Sequence, residues 1–166
     1  MAWEVRQIIL VIHILLATIW VGGVLFVGWG IFPVVTRTLK MPIQREFFLT
    51  LIRWTHWLFT TVGIGVILTG ILLGTVMGPI RQYNDIWDTP FGNVWIAALM
   101  VALFILTWGA LVGYRYSMKT FLNEKLWIRA ALGDVKPLKQ AYISIAMIES
   151  VEAVGFIVLI NLMILL

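Results

Sequence analysis

Two histidines, His13 and His56, are the only imidazoles in the chain, and both stand in or beside long apolar stretches. Neutral imidazole ligates haem iron and copper alike, and an ionisable ring inside a membrane span is a functional candidate by default. Trp20 follows His13 by two helical turns, so the two share a helix face. Steps of three and four from His56 reach Thr60, Gly63, Ile67, Gly70 and Gly74, a stripe of small residues with one imidazole at its end. Such a stripe serves close helix packing, or it leaves room for a flat ligand such as a porphyrin, and both can hold at once on different glycine faces. The candidate cofactor-binding residues are therefore His13, Trp20, His56, Thr60, Gly63 and Gly70, with His13 and His56 as metal donors. A second constellation is acidic. Glu149 and Glu152 lie on one side of the last apolar stretch, roughly 12 and 16 Å along its helix. A carboxylate at that depth costs about 2.5 to 3.5 kcal/mol unless it is paired, protonated or hydrated. Arg53 and His56 are the partners expected at similar depth. The cluster Arg53, His56, Glu149 and Glu152 would either orient two helices as an ion pair or form a path for protons or metal.

The elements that must position these residues follow from composition. Of 166 residues, 61% are hydrophobic and 12% charged, against about 25% charged in soluble domains. Apolar runs at 8–35, 54–77, 94–114 and 141–166 each approach or exceed the roughly 18 to 20 residues needed to span a bilayer. The expectation is an all-α integral membrane four-helix bundle, a single domain over 1–166, with helices at about 8–35, 47–77, 92–116 and 141–166. The first run has interior glycines and no small-residue cleavage site after a short apolar core, so it reads as a retained helix.

Charge sets the expected orientation. Arg6 and Arg81 fall on the side of the termini, whereas Arg37, Lys40, Arg45, Arg53, Arg115, Lys119, Lys125, Arg129, Lys136 and Lys139 fall on the other. Under the positive-inside rule both termini face outward from the cell (inner) membrane and the basic loops face the cytoplasm. The net charge of +4 then serves topology and anionic headgroups, and nucleic acid is not an expected partner. The segment 117–140 alternates basic and apolar residues at helical spacing, which predicts a short amphipathic helix on the membrane surface ending near Gly133. Thr89 and Pro90 mark the start of the third helix, and Arg53, Trp54 and Trp57 an interfacial anchor on the second. With no cysteine in the sequence, disulfides, thiolate metal sites and covalently attached haem are excluded.

His13 is expected in the outer half and His56 near the inner start of helix 2, about 15 to 20 Å apart in depth. A single haem between them would be strained, so two separate sites compete with one. Met77, Met100 and Met163 are the methionines that could assist a soft metal on the outer half.

The pattern H-x6-W-x-G-G from His13 to Gly23 resembles the copper-resistance D (CopD) family and its relatives, the HemJ-type protoporphyrinogen oxidases. Phe32 and Pro33, GVILTG in helix 2, TPFG before helix 3 and ESVEAVGFIVLI in helix 4 are similar to further pieces of that pattern. The resemblance implies a four-helix core whose helix 1 histidine, here His13, serves a b-type haem or a metal. Where relatives carry a lysine linked to oxidase activity this chain has Ala98, and His56 is an addition to the pattern. The sequence shows no nucleophile-base pair at catalytic spacing, so an electron-transfer or binding subunit is expected before an independent enzyme. The leading expectation is a b-type haem protein in electron transfer, alone or as a small subunit of a respiratory complex or as a homodimer. Copper transport or resistance is the alternative, and an accessory subunit without cofactor the third.

Overall fold

The computed structural model describes residues 2–166 and is helical throughout, with no strand among the described residues. Four helices are long and apolar enough to cross a membrane: α1 (Trp3–Thr38), α2 (Met41–Gly74), α4 (Pro90–Leu122) and α6 (Lys136–Ile164). Two short ones, α3 (Asp85–Asp88) and α5 (Glu124–Ala131), lie in the connections. The outward-facing surfaces of the long helices are apolar, as with Trp29, Leu68, Met100 and Val154, which is the arrangement lipid tails require. The chain has the character of a multi-pass membrane protein.

Each long helix begins before the apolar run that announces it, while α2 stops at Gly74 instead of 77 and α6 at Ile164 instead of 166. α2 starts at Met41 instead of near residue 47, and α6 at Lys136 instead of 141, because Pro42 and Pro137 sit in their first turns. Proline is well placed there, where its missing N–H would have had no intrahelical partner. α4 runs on to Leu122, past the expected end near 116.

α1 packs along α2, α4 packs along α6, and α2 also meets α4, while α1 and α6 touch less. Two apolar clusters hold the bundle. One joins Trp20, Val62, Val66, Ile105 and Phe156 in the middle of the helices. The other joins Val35, Phe48, Phe121, Trp127 and Leu138 at the basic end. At that end the α1–α2 turn is fixed by buried Gln44, whose Nε2 donates to the Leu39 carbonyl at 2.6 Å and the Thr36 carbonyl at 3.2 Å. Tyr142 donates to Gln44 Oε1 at 3.2 Å, and Arg45 Nε to the Phe121 carbonyl at 3.1 Å, so one turn contacts both later helices. In α5, Trp127 and Ala130 are buried while Lys125, Ile128 and Arg129 are exposed. The helix is closed by Gly133 at φ 101°, with Asp134 N donating to the Arg129 carbonyl at 3.0 Å, a left-handed stop that glycine adopts without strain.

The loop between α2 and α4 is organised by Asp85. Its carboxylate accepts from the backbone N–H of Arg81 at 2.7 Å and of Gln82 at 2.8 Å. Thr89 caps α4, accepting from Gly92 N at 2.9 Å, as its position before Pro90 predicts. The two N–H donors stabilise the ionised form of Asp85 and hold its carboxyl below the usual range. A depressed folded-state value means that this contribution is complete above the unfolded carboxyl value of about 3.9 and is lost as pH falls through the lower folded value. Hydrogen-exchange protection of the Arg81 and Gln82 amides is accordingly expected at neutral pH and lost below that range. In Asp85→Asn it should be weak at every pH, and equal protection in the variant would refute this account.

Candidate functional site

α1 and α4 each carry one widened, π-type turn, Phe26–Ile31 and Trp108–Gly113. In the first, Phe32 N–H reaches the Val27 carbonyl. The extra residue relieves the collision that the ring of Pro33 would make with the carbonyl four positions back. In the second, Tyr114 N–H reaches the Gly109 carbonyl. Such turns are frequent at functional sites, and both border one cavity of about 240 Å³ between the two apolar clusters. Its polar lining comprises Thr55, His56 and Thr60 of α2, Tyr114 and Ser117 of α4, and Glu149, Ser150 and Glu152 of α6.

The carboxylates occupy this cavity because α4 lacks side chains opposite them. A Cβ on Gly109 would collide with Glu152 Oε1, and one on Gly113 would stand 2.9 Å from Glu149 Oε1. Ser117 Oγ donates to Glu149 Oε1 at 3.4 Å, and Trp108 Nε1 donates to the Ile148 carbonyl at 3.0 Å. His56 stacks on Tyr114 at 3.8 Å between ring centroids. Glu152, only 5% exposed, has no hydrogen-bond or ion-pair partner among the described residues, and its oxygens are not enclosed.

Of the expected acidic cluster, the structure brings together His56, Glu149 and Glu152. Arg53 does not join them: it is exposed and makes no ion pair among the described residues. It shares the outward face with Trp54 and Trp57, 66% and 73% exposed. Long cationic side chains run along such a face to reach headgroups. The residues that sequence reasoning missed are Gly109, Gly113 and Ser117. Their signal was the four-residue spacing of the glycines in WGALVG, which matches two carboxylates three residues apart on a facing helix.

His13 and Trp20 both face α2 but do not line one site. Trp20 is buried against Gly63 and edge-on to Phe156 at 5.3 Å, and it forms part of the wall of the cavity with His56. His13 lies away from that cavity, over Gly70. Its Nδ1 is 2.8 Å from Thr69 Oγ1. The single Thr69 hydroxyl proton is directed to the Gly65 carbonyl at 2.7 Å and the Val66 carbonyl at 3.0 Å. With that proton on a carbonyl, Nδ1–H is the donor to Thr69 and the neutral ring keeps its lone pair on Nε2; the Val66 backbone is a further hydrogen-bond partner of the His13 side chain.

The glycine stripe of α2 is filled by protein. Gly63 accepts Trp20 and Leu106, Gly70 accepts the His13 ring, and Gly74 accepts the Trp95 indole. Trp95 Nε1 also donates to the Gly70 carbonyl at 3.3 Å. Close packing is realised along the face of Gly63, Gly70 and Gly74. Met100 and Met163 are exposed, and no group of three or more His, Cys, Asp or Glu side chains that could hold a metal occurs among the described residues. No protein-family model, curated protein or solved structure matches this chain.

Proposed function

We propose that this chain is a b-type haem-binding membrane protein in electron transfer, alone or as a small subunit of a respiratory complex, with His13 as its axial ligand. The observation that supports the reading is the His13–Thr69 hydrogen bond. It orients the ring, as the outer-shell partner of a metal-bound imidazole does, and with Nδ1–H as its donor the Nε2 lone pair is the one offered to a metal. The donor fits haem iron; the filled α1–α2 seam does not fit a macrocycle. The group would therefore meet Nε2 from outside the seam, with the remaining wall supplied by another membrane subunit or a second copy. Bound there, haem would supply a one-electron couple. Thr69 holds the imidazole, and the packed seam keeps that ligand rigid. His56, stacked on Tyr114 at the other cavity, belongs to a separate site in this reading.

The orientation in this proposal has the basic end in the cytoplasm and both termini outside the inner membrane. There α5 would rest on the membrane surface, with Ile128 and Leu132, 57% and 82% exposed, dipping among acyl chains.

The test is a reduced-minus-oxidised absorption spectrum of protein purified from haem-replete membranes. Soret and α bands are expected, lost in His13→Ala and kept in His56→Ala. Absence of both bands in the unaltered protein overturns the proposal. Copper bound stoichiometrically and lost in His13→Ala, without haem, would make this a CopD-like copper protein. Neither group bound, with partner activity unchanged in the double histidine variant, would make it an accessory subunit.

A further inference from the structure

The acidic cavity is separate from His13 and calls for its own occupant. Glu152 is 95% buried by the complement of its 5% exposure, lacks any hydrogen bond or ion pair among the described residues, and lies on the cavity wall. Glu149 stands one turn away with Ser117 as its one hydrogen-bond partner. Among the described residues no lysine or arginine borders the space. Two carboxylates in a largely apolar enclosure are accommodated by protonation, by water or by a positive charge, and His56 on the same wall makes no ion pair with them among the described residues. A hard metal ion is a poor match, because calcium or magnesium wants six or more oxygen ligands. Thr55 already directs its hydroxyl to the Leu51 carbonyl at 2.8 Å. The rest of the lining is mostly apolar and includes the aromatic residues Trp20, Trp29, Phe59 and Tyr114, and aromatic rings attract organic cations while offering little to a hydrated metal. The volume of about 240 Å³ is several times the roughly 30 Å³ share of one water molecule. Gly28 and Trp29 of α1 and Ala146 and Ser150 of α6 line the cavity and are exposed, so it opens sideways, on the surface where acyl chains lie.

We infer that this cavity binds a small organic ammonium ion that enters from the bilayer, its charge met by Glu152 and Glu149 and its apolar body packed on Trp20 and Phe59. An acyl chain or a neutral solute would fill the same space without offering Glu152 a charge to meet.

Benzyltrimethylammonium is the probe, titrated into the full chain in nanodiscs of zwitterionic lipid and followed by tryptophan fluorescence and calorimetry. Its uncharged carbon isostere, neopentylbenzene, and sodium ion are the comparisons. Saturable binding of the ammonium is expected, with the isostere weaker by about 10-fold or more, the margin that a desolvated cation–π contact provides. Glu152→Gln should lose a similar factor and Glu149→Gln less, while His13→Ala should bind like the unaltered protein. That last result separates this site from the haem reading, because each can fail alone. Equal binding of ammonium and isostere, binding of sodium only, or no binding by the unaltered protein overturns the inference. So does undiminished affinity in folded Glu152→Gln. Should Glu152→Gln fail to fold, the ammonium-to-isostere ratio in the unaltered protein decides the matter by itself.

Discussion

Phe121→Ala is expected to lose about 3–5 kcal/mol of folding stability, the range found when a fully enclosed aromatic is truncated. The ring is 0% exposed and is the point at which four helices meet. Its centroid lies 4.9 Å from Phe48 of α2, 6.1 Å from Trp127 of α5 and 6.1 Å from Tyr142 of α6. The backbone carbonyl of the same residue accepts from Arg45 Nε and, at 3.2 Å, from Trp127 Nε1. Alanine keeps that carbonyl, so the loss reports the ring and not the hydrogen bonds. Helix association inside lipid draws on packing more than on expulsion of water, and a void left at such a junction has no neighbour able to collapse into it. Phe121 also borders the acidic cavity, so the variant enlarges that cavity at its basic end. Reversible unfolding in mixed micelles, followed by circular dichroism, gives the measurement. Trp57→Ala, removing a ring that is 73% exposed, should change stability by less than about 0.5 kcal/mol. If both variants unfold at the same denaturant fraction, the inner cluster does not hold the bundle together.

The four spans were readable because bilayer crossing demands continuous apolar length, and composition alone measures that. Their ends were less readable. The apolar run stops where the membrane core would stop, but the helix continues for as long as its N–H groups find carbonyls. Met41–Gln44 and Lys136–Gln140 are polar or proline-containing and yet helical for that reason. The meeting of Glu149, Glu152 and His56 could be anticipated from depth along the helices, which a constant rise per residue fixes. Azimuth is harder. Arg53 lies at the right depth and on the wrong side, a difference of under one helical turn from buried Thr55. The glycine stripe illustrates the same limit from the opposite direction. Sequence shows that side chains are missing at Gly63, Gly70 and Gly74, but not whether a ligand or a neighbour's ring fills each gap. Nor did it single out Thr69, whose hydroxyl meets His13 Nδ1 at 2.8 Å.

Gly74→Ala is expected to destabilise the end of the bundle opposite the basic loops by about 1–3 kcal/mol, the cost of forcing a methyl into a packed seam. The added Cβ would stand 2.6 Å from Trp95 Cδ1 and 2.7 Å from Cε2, and closer still to Nε1. The indole is rigid and tied to the Gly70 carbonyl, so relief requires α4 to move away from α2 or that hydrogen bond to break. Gly74 is also where α2 ends: its carbonyl accepts Ile80 N at 3.2 Å, and Gly78 packs directly on it. Gly22→Ala provides the opposite case. Nothing lies within 4 Å of its Cβ position, and replacing glycine by alanine in a helix interior gains about 0.5–1 kcal/mol. The two substitutions add the same methyl to long apolar helices, so a difference in sign isolates packing from helix propensity. Gly74→Ala should carry a second consequence. Trp95 and His13 both cover Gly70, so displacement of the indole reaches the face on which His13 Nδ1 meets Thr69. A seam that only holds helices together would lose stability and leave the imidazole undisturbed; a seam that also orients the ligand would lower haem occupancy in Gly74→Ala and leave it unchanged in Gly22→Ala.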